Sequence, residues 1–441
     1  MRLYSRRKES MKVLLVNPPN CGRSIPEEHY GIDSLKLILR AEPLCLEALA
    51  GNLDEEEVMI VDLKARPGTF GDVLADFAPD VVGITGVTCE ANTMLKLASQ
   101  AKEAVNATVV VGGVHASSDP SFFNKEDVDY IVVGLGKLSF KELLTAMAPG
   151  RATHDIPGIA KTRPGNGLAF TPRAYSRYDL AEESPPRYDL TAGYRDDYVM
   201  QPFGFSLGLV STAFGCPHRC SFCSIEGITG GRYLTHNPET IIRDIGLLGD
   251  APVIRLVDAN TFGNVAQSRM LCQKIGESGI NKGFVADVRS DTVVRHPDLF
   301  REWKDAGLRT VIVGFEEIDD KRLGAMEKAN TTAINSEAIA ILHDTGITII
   351  GDFIVSPDYD ELQFRELKGY LEKNPVDLPM ISILTPLPGT PLYTSMKERI
   401  TIHDLDYYTL TNAVVPVSMD EKAFYQNYAD LMRQGHAKAK L

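Results

Sequence analysis

The chain has 441 residues, more than one hydrophobic core usually spans, so two or three domains are expected. Its 44% hydrophobic and 24% charged residues are ordinary for a globular protein, and a net charge of −13 argues against nucleic acid and anionic lipid as partners. No apolar run approaches a membrane span, and the seven cysteines, four of them scattered, form no disulfide framework, which points to a reducing cytoplasm.

The chain opens on a basic stretch, MRLYSRRKES, but the apolar VLLVN behind it is too short for a signal-peptide core. It reads as a disordered tail, or as an upstream start codon with Met11 as the natural start. Short apolar runs follow at Lys12–Asn17, Val58–Asp62, Val81–Gly86, Thr108–Gly113 and Tyr130–Gly134. They are continuous rather than alternating, rich in Val and Ile, and end in Gly, Asn or Asp. Such runs predict buried parallel strands, with crossover helices such as Glu90–Val105 between them. The expectation for 11–150 is a doubly wound, Rossmann-like α/β sheet. The first strand is followed by VNPPNCGRS rather than Gly-x-Gly-x-x-Gly, which disfavours NAD and FAD. It also lacks the acidic residues that a response-regulator domain would place there.

Residues 151–205 are rich in Pro, Gly, Tyr and Arg and show no sustained periodicity, so they read as a linker over the surface. The βα rhythm returns over 206–392. Strands are predicted at Leu207–Ala213, Val253–Asp258, Phe284–Arg289, Thr310–Gly314, Ile347–Ile354 and Ile381–Thr385. Pro238 and Pro297 mark helix starts. Six βα units suit a partial (β/α)6 barrel, whose chemistry sits at the C-terminal strand ends. Residues 393–441 read as a helical C-terminal extension.

The segment GCPHRCSFC, residues 215–223, follows the first of these strands and places Cys216, Cys220 and Cys223 in a C-x3-C-x2-C array. Thiolates select zinc, copper(I) or iron–sulfur clusters. Structural zinc wants four ligands, commonly from two separated pairs, and no second pair exists here. His218 could close a zinc site only by folding back within the tight loop. Three thiolates can instead hold three irons of a cubane and leave the fourth open.

This spacing, with Phe222 before the last cysteine, resembles the radical S-adenosylmethionine (SAM) superfamily. GFEEIDDKRLGAMEKANTT (314–332), ITIIGDFIVSPD (347–358) and ILTPLPGTPLY (383–393) resemble later segments of the same family, in order. The resemblance covers about 205–393 and implies a 4Fe–4S cluster on the three cysteines, with SAM chelated at the open iron. By position, Glu316 matches an acidic residue near the SAM ribose or amino group, with a barrel-rim ion pair as the alternative. Arg289 and Asp291, in FVADVRSD, stand where related enzymes reach SAM's polar groups, though a plain salt bridge would also explain them. Asp258 and Asn260, in RLVDANTF, are weaker candidates.

In the front domain, VLLVNPPN, DVVGITG, VVVGGVHAS and YIVVGLGK together resemble the cobalamin-binding domain fused to one branch of radical SAM proteins. Glycines at the strand ends, Gly83, Gly86, Gly112, Gly113, Gly134 and Gly136, would allow close backbone approach by the cofactor. The Asp-x-His-x-x-Gly segment that ligates cobalt from below is missing, which implies base-off binding without a histidine ligand. The family's acidic Gly-Glu-Gly-Glu is here Gly134-Leu135-Gly136-Lys137. His115 is a candidate for cofactor contact, with a structural role as the alternative.

The resemblance therefore implies a cobalamin-dependent radical SAM enzyme, most simply a C-methyltransferase. One SAM would serve as methyl donor through methylcobalamin, and a second would be the source of a 5′-deoxyadenosyl radical. A cyclase, hydroxylase or oxidase of the same architecture is the alternative. The opening VNPPNCGRSIPEEHYGIDSLK is similar to archaeal enzymes that C-methylate a glutamine of methyl-coenzyme M reductase. That would make the substrate a protein or peptide, received between the two domains. A ferredoxin or flavodoxin is the expected reductant, with neither nucleic acid nor membrane as a partner.

Overall fold

The computed structural model describes residues 10–33, 41–147, 153, 155–180, 184–200 and 205–437. The basic start of the chain, residues 1–9, lies outside them, as do parts of the expected linker. The described residues form two compact units. One draws on the described residues within 10–20, 43–173 and 184–194, the other on those within 21–42, 174–180 and 195–437.

In the first unit, β1 (Lys12–Asn17), β2 (Glu57–Asp62), β3 (Val81–Ile84), β4 (Thr108–Val111) and β5 (Tyr130–Val132) form a parallel sheet in the order β2-β1-β3-β4-β5. Val13–Val16 pair with β2 on one side and β3 on the other. A central strand buried on both faces is why this run reads as unbroken apolar residues. Helices such as Ala91–Val105 and Gly136–Met147 provide the crossovers, and Leu46, Phe140, Leu143 and Ile159 pack with Val13 and Leu15 in one core. Gly83 lies within β3, but β3, β4 and β5 stop before Gly86, Gly112 and Gly134, which the sequence reading placed at their ends. The stretch expected to be a linker departs further: β6 (Ile159–Lys161) and β7 (Ala169–Phe170) extend the sheet antiparallel beyond β5. These strands are two or three residues long, too short to leave a periodic signal.

The second unit is built on β9 (Phe205–Val210), β12 (Val253–Leu256), β13 (Gly283–Val288), β14 (Leu308–Glu316), β15 (Thr348–Val355) and β16 (Leu378–Ile383). These six parallel strands form a curled half-barrel, and β8 (Val199–Met200) pairs antiparallel at its β9 edge. Between β9 and β12 the short strands β10 (Ala213–Phe214) and β11 (Leu234–Thr235) pair antiparallel. Helices Pro238–Leu247 and Pro297–Asp305 begin on the two prolines read as helix starts. Behind β13, the buried Trp303 packs against Phe262 and Phe284 and donates its indole N–H to Ser268 Oγ at 3.0 Å.

The C-terminal extension is less tail-like than its sequence suggests. Helix Glu421–Ala437 lies along the edge strand β16, with Phe424, Tyr425 and Tyr428 fully buried, and Tyr428 donates to the Ile381 carbonyl at 2.8 Å. Covering a sheet edge in this way removes a site for unwanted strand pairing. The short helix Ile25–Tyr30 joins the same cover: Tyr30 donates to Glu421 at 2.6 Å, and the buried Asn412 side chain accepts from Ile25 N at 2.8 Å. Among the described residues, no helix is long and apolar enough to cross a membrane.

Candidate active site

The three clustered cysteines lie on the loop between β10 and β11, so the small antiparallel ladder clamps both ends of the segment that carries them. Gly215 starts the loop at φ +79°, and a Cβ there would stand 2.0 Å from the Arg232 carbonyl oxygen. Only glycine meets both demands. Further along, Ser221 N donates to the Met326 carbonyl at 3.1 Å and Leu392 N to the Ser221 carbonyl at 2.9 Å, while Cys223 N closes a turn onto Cys220 O at 3.1 Å. Cys216, Cys220 and Cys223 are half-buried free thiols. Burial pushes the Cys220 and Cys223 thiols up, and Lys328 works against burial at both, joined at Cys220 by Arg289. His218, weighed above as a fourth ligand, is pushed down to about 4 by burial and by the charges of Arg289, Lys328 and Arg295. The loop thus presents thiols whose burial disfavours the anionic form, with nearby positive charge offsetting part of that cost.

Arg289, at the end of β13, supplies part of that field and is 6% exposed. Its Nε donates to Asp291 Oδ1 at 2.9 Å, its Nη2 to the Lys328 carbonyl at 2.6 Å, and its Nη1 lies 3.9 Å from Cys220 Sγ. Asp291 is occupied in turn by Arg289 and Arg295. This is the salt bridge weighed above as the alternative to a contact with SAM. Together they clamp the Met326–Asn330 turn and steady Cys220.

Glu316 ends β14 at a register shift and holds φ +64°, a conformation that costs a non-glycine residue about 1–3 kcal/mol. Its Oε1 receives Lys328 Nζ at 2.6 Å, with both side chains buried. Gly314 makes room for the pair: a Cβ there would meet Glu316 Oε1 at 2.4 Å and Lys328 Nζ at 2.8 Å. Glu327 and Ala329, on either side of Lys328, also adopt positive φ. Strain concentrated on one ion pair beside the cysteine loop is what a preorganised binding site would show.

Asp258 departs from its expected role. Its carboxylate accepts from Thr212 N, Thr212 Oγ1 and Ala213 N at 2.6–2.8 Å, so it anchors the entry into β10 rather than facing a ligand. Asn260 is 1% exposed, and neither its amide nitrogen nor its amide oxygen has a hydrogen-bond partner.

Three charged residues that the sequence reading passed over occupy alternate positions on β12, β13 and β15. Arg255 pairs with Asp287, and Asp352 stands near both and near Glu316. Burial raises the Asp287 carboxyl to about 6, with Arg255 opposing. Burial and the Glu316 charge raise Asp352 to about 8. They are mostly but not fully buried, between fully buried strand neighbours, which fits side chains that face the inside of the half-barrel. The signal that could have found them is a charge inside a run that otherwise reads as core, as in ITIIGDFIV.

In the first unit β2 ends on the buried Asp62 and the buried Glu90, just past β3, pairs with Lys64 at 2.7 Å, while glycines follow β3, β4 and β5. Gly113, at φ +95°, packs so tightly that a Cβ would lie within 2.8 Å of Thr85 Oγ1 and of the Gly86 backbone. A Cβ on Gly86 would stand 2.6 Å from Met94 Sδ, one on Gly112 would meet only Val132 at ordinary contact distance, and Gly134 N donates to Ser117 Oγ at 2.9 Å. The closest approach at Gly113 and Gly86 is therefore between β3 and β4 themselves. His115 is 0% exposed, edge-on to Phe122 and Phe123.

Comparison with known proteins agrees with this layout. Residues 35–144 match the B12 binding domain and residues 210–413 the radical SAM superfamily. An uncharacterized methyltransferase of Pyrococcus horikoshii is 30% identical, the alignment covering 87% of this chain and 82% of that protein. This chain belongs to the cobalamin-dependent radical SAM methyltransferase family. The hopanoid C-3 methylase of Methylococcus capsulatus is 27% identical over 88% of this chain and 75% of its own. The anaerobic magnesium-protoporphyrin IX monomethyl ester cyclase of Rubrivivax gelatinosus is 24% identical, over 85% and 67%. The radical SAM methyltransferase TsrM of Kitasatospora setae, solved with cobalamin and a 4Fe–4S cluster, shares the fold at TM-score 0.75 and 18% identity, over 98% of this chain and 93% of that one.

The residues of this radical SAM protein fit the family's cofactors. Three free thiols on a clamped loop under positive charge suit a cluster that takes three protein ligands. Among the described residues, no group of three or more His, Cys, Asp and Glu side chains is arranged to hold a single metal ion. The cobalamin domain offers a glycine-rich strand edge, and His115 is sealed behind it. Lys328 is a candidate that the sequence reading quoted without singling out. Its importance rests on the salt bridge to Glu316, which spans twelve residues and one strained turn.

Proposed function

We propose that this enzyme is a C-methyltransferase acting at an unactivated sp3 carbon, on a substrate that carries a polar group into the half-barrel. The observation that carries the proposal is the buried Lys328–Glu316 pair, set beside the cysteine loop by Arg289. Cys216, Cys220 and Cys223 would hold a cluster that would supply the electron for SAM cleavage, and bound cobalamin would supply methyl transfer. The protein's own part is to hold and to orient. Arg289 keeps Cys220 in place through the Met326–Asn330 turn, and Lys328 fixes the Glu316 carboxylate at the strand end, where one oxygen remains for a hydroxyl or ammonium donor.

Arg255, Asp287 and Asp352 support a polar substrate. Three carboxylates with Glu316 and two cations with Lys328 suit a hydrocarbon surface poorly, because unpaired buried polar groups are costly. A peptide side chain such as the glutamine of methyl-coenzyme M reductase fits that chemistry better than a hopanoid skeleton does. An oxygen-labile cluster also suits a reducing cytoplasm with ferredoxin or flavodoxin as electron donor.

The test is anaerobic reconstitution with iron, sulfide, cobalamin, SAM and reductant, then incubation with the glutamine peptide and mass spectrometry. A gain of one methyl, with S-adenosylhomocysteine and 5′-deoxyadenosine formed in equal amounts, is expected. No methyl on the peptide overturns this substrate. Turnover of a tetrapyrrole that yields 5′-deoxyadenosine without S-adenosylhomocysteine would favour the cyclase chemistry of the Rubrivivax relative.

A further inference from the structure

Asp352 stands in the half-barrel without a partner of its own. It is mostly but not fully buried on β15, and among the described residues no hydrogen bond or ion pair engages its carboxyl. The charges around it are already matched, Arg255 with Asp287 and Lys328 with Glu316. Asp352 is thus a carboxyl in surplus beside two closed ion pairs. Burial first and the Glu316 charge second raise it to about 8, with Asp287 adding to them while Lys328 and Arg255 oppose. At neutral pH it keeps its proton and offers an O–H donor beside a carbonyl acceptor. A leucine would fill the place without the cost of unmet polar atoms, so a carboxyl here points to a partner from outside the chain.

A ligand can reach this face. On β12, Ile254 and Leu256 are buried, whereas Arg255 is partly exposed and Val257, just past the strand, is 41% exposed. The inner face therefore opens toward the C-terminal ends of the strands, where chemistry sits in barrels of this kind. Across the sheet, Asp352 is in register with Gly314 on β14 and with Met380 on β16. Gly314 has no side chain to cover it, and the Glu316–Lys328 pair occupies the space where a Cβ would stand. Met380 is itself partly exposed and gives the site an apolar wall. An ammonium group brings donors only, and it would need the ionised carboxylate that burial and Glu316 oppose. A hydrocarbon meets neither the donor nor the acceptor. A primary carboxamide meets both at once: its C=O accepts from the acid O–H, its N–H donates to the acid carbonyl, and its methylenes suit Met380.

We propose that Asp352 is a specificity-determining residue that binds a primary carboxamide on the substrate side chain through two antiparallel hydrogen bonds. The inference rests on the glutamine reading above and adds to it the group that recognises the side chain. A site built to meet both a donor and an acceptor rejects an analogue that lacks them, because its own polar atoms are then left unpaired.

The test uses the full chain, reconstituted anaerobically with cluster, cobalamin and SAM but without reductant, so that nothing turns over. Fluorescence anisotropy reads the binding of two labelled peptides: the glutamine peptide of methyl-coenzyme M reductase and the same peptide with norleucine in place of the glutamine. The wild type should prefer the glutamine peptide. Asp352→Leu should bind it about ten- to a hundredfold more weakly, as expected for two lost hydrogen bonds, and should bind the norleucine peptide no more weakly than the wild type does. Asp352→Asn, whose amide also offers a donor and an acceptor, should hold the glutamine peptide within about threefold of the wild type. Neither substitution breaks a contact within the chain, so both variants should fold. Wild-type affinity for the glutamine peptide in the leucine variant overturns the proposal and leaves the glutamine reading in place. An asparagine variant as weak as the leucine variant also overturns it, because an ionised carboxylate is then the binding group. Equal weakening of both peptides, with SAM affinity lost, overturns it by assigning Asp352 to SAM. A wild type that binds both peptides alike, or neither, overturns the glutamine reading and this inference with it.

Discussion

The two sheets of this enzyme end their strands in opposite ways. On the first, β3 and β4 finish in Gly86 and Gly113 pressed together, with a neutral histidine behind them. On the second, β13 and β14 finish in Arg289 and Glu316, both buried, both paired, and one strained. A large macrocycle is recognised by shape and by hydrogen bonds, so close-packed backbone suits its platform. A charged metabolite broken at a cluster needs fixed charges that do not reorganise. The contrast teaches that one chain uses backbone packing at one strand edge and electrostatic preorganisation at the other.

The sharpest way to break this contrast is at the thiols. Replacing Cys216, Cys220 or Cys223 by Ala should abolish cluster assembly and SAM cleavage, whereas Cys272→Ala should leave both intact. Iron and sulfide analysis with 5′-deoxyadenosine quantification checks this. Next in size is Gly113→Ala. The added methyl meets the Gly86 backbone and the φ of +95° opposes it, so a loss of about 3 kcal/mol or more is expected by denaturant unfolding, together with loss of cobalamin. Gly112→Ala, with only ordinary contact to Val132, should stay within about 1 kcal/mol of the wild type.

Glu316→Gln probes the other sheet. It removes a charged hydrogen bond worth about 1.5–3 kcal/mol, so SAM cleavage should fall about ten- to a hundredfold in kcat/KM while cobalamin binding stays unchanged. Equal losses in both assays would show that the two strand edges are not independent.

The smallest effect expected is on pH dependence. Asp352 holds its proton to about pH 8 in the folded protein but releases it near 4 when unfolded. The folded state therefore binds more protons between those values, and stability falls as pH rises through that window. Asp352→Asn removes the titration. Its melting temperature relative to wild type should climb by a few degrees between pH 5 and pH 8 and then level off. A difference that stays constant across that range would show the carboxyl to be paired more strongly than the geometry indicates.

Much of this was legible beforehand. The five front strands and six barrel strands appear within a few residues of their apolar runs, because strands buried on both faces leave continuous Val- and Ile-rich signals. The proline helix starts and the cysteine array were legible for the same reason: each is a local rule. What escaped was non-local. The strands β6 and β7 exist only because the edge of β5 is there to pair with them. Asp258 looked like a ligand until the Thr212–Ala213 backbone was seen to use it. Lys328 appeared only as a letter in a motif, since its partner lies one strained turn away.

The sequence by itself determined the two α/β sheets, their order, and the three sulfurs with their unfilled fourth position. These follow from residue periodicity and short spacing, which act within a few positions of the chain. Only the tertiary structure decided that Arg289 braces Cys220, that Glu316 and Lys328 meet over Gly314, and that His115 is sealed with its nitrogens unmet. Those outcomes depend on burial and charge pairing between residues far apart in sequence, and such energies arise only once the strands are side by side.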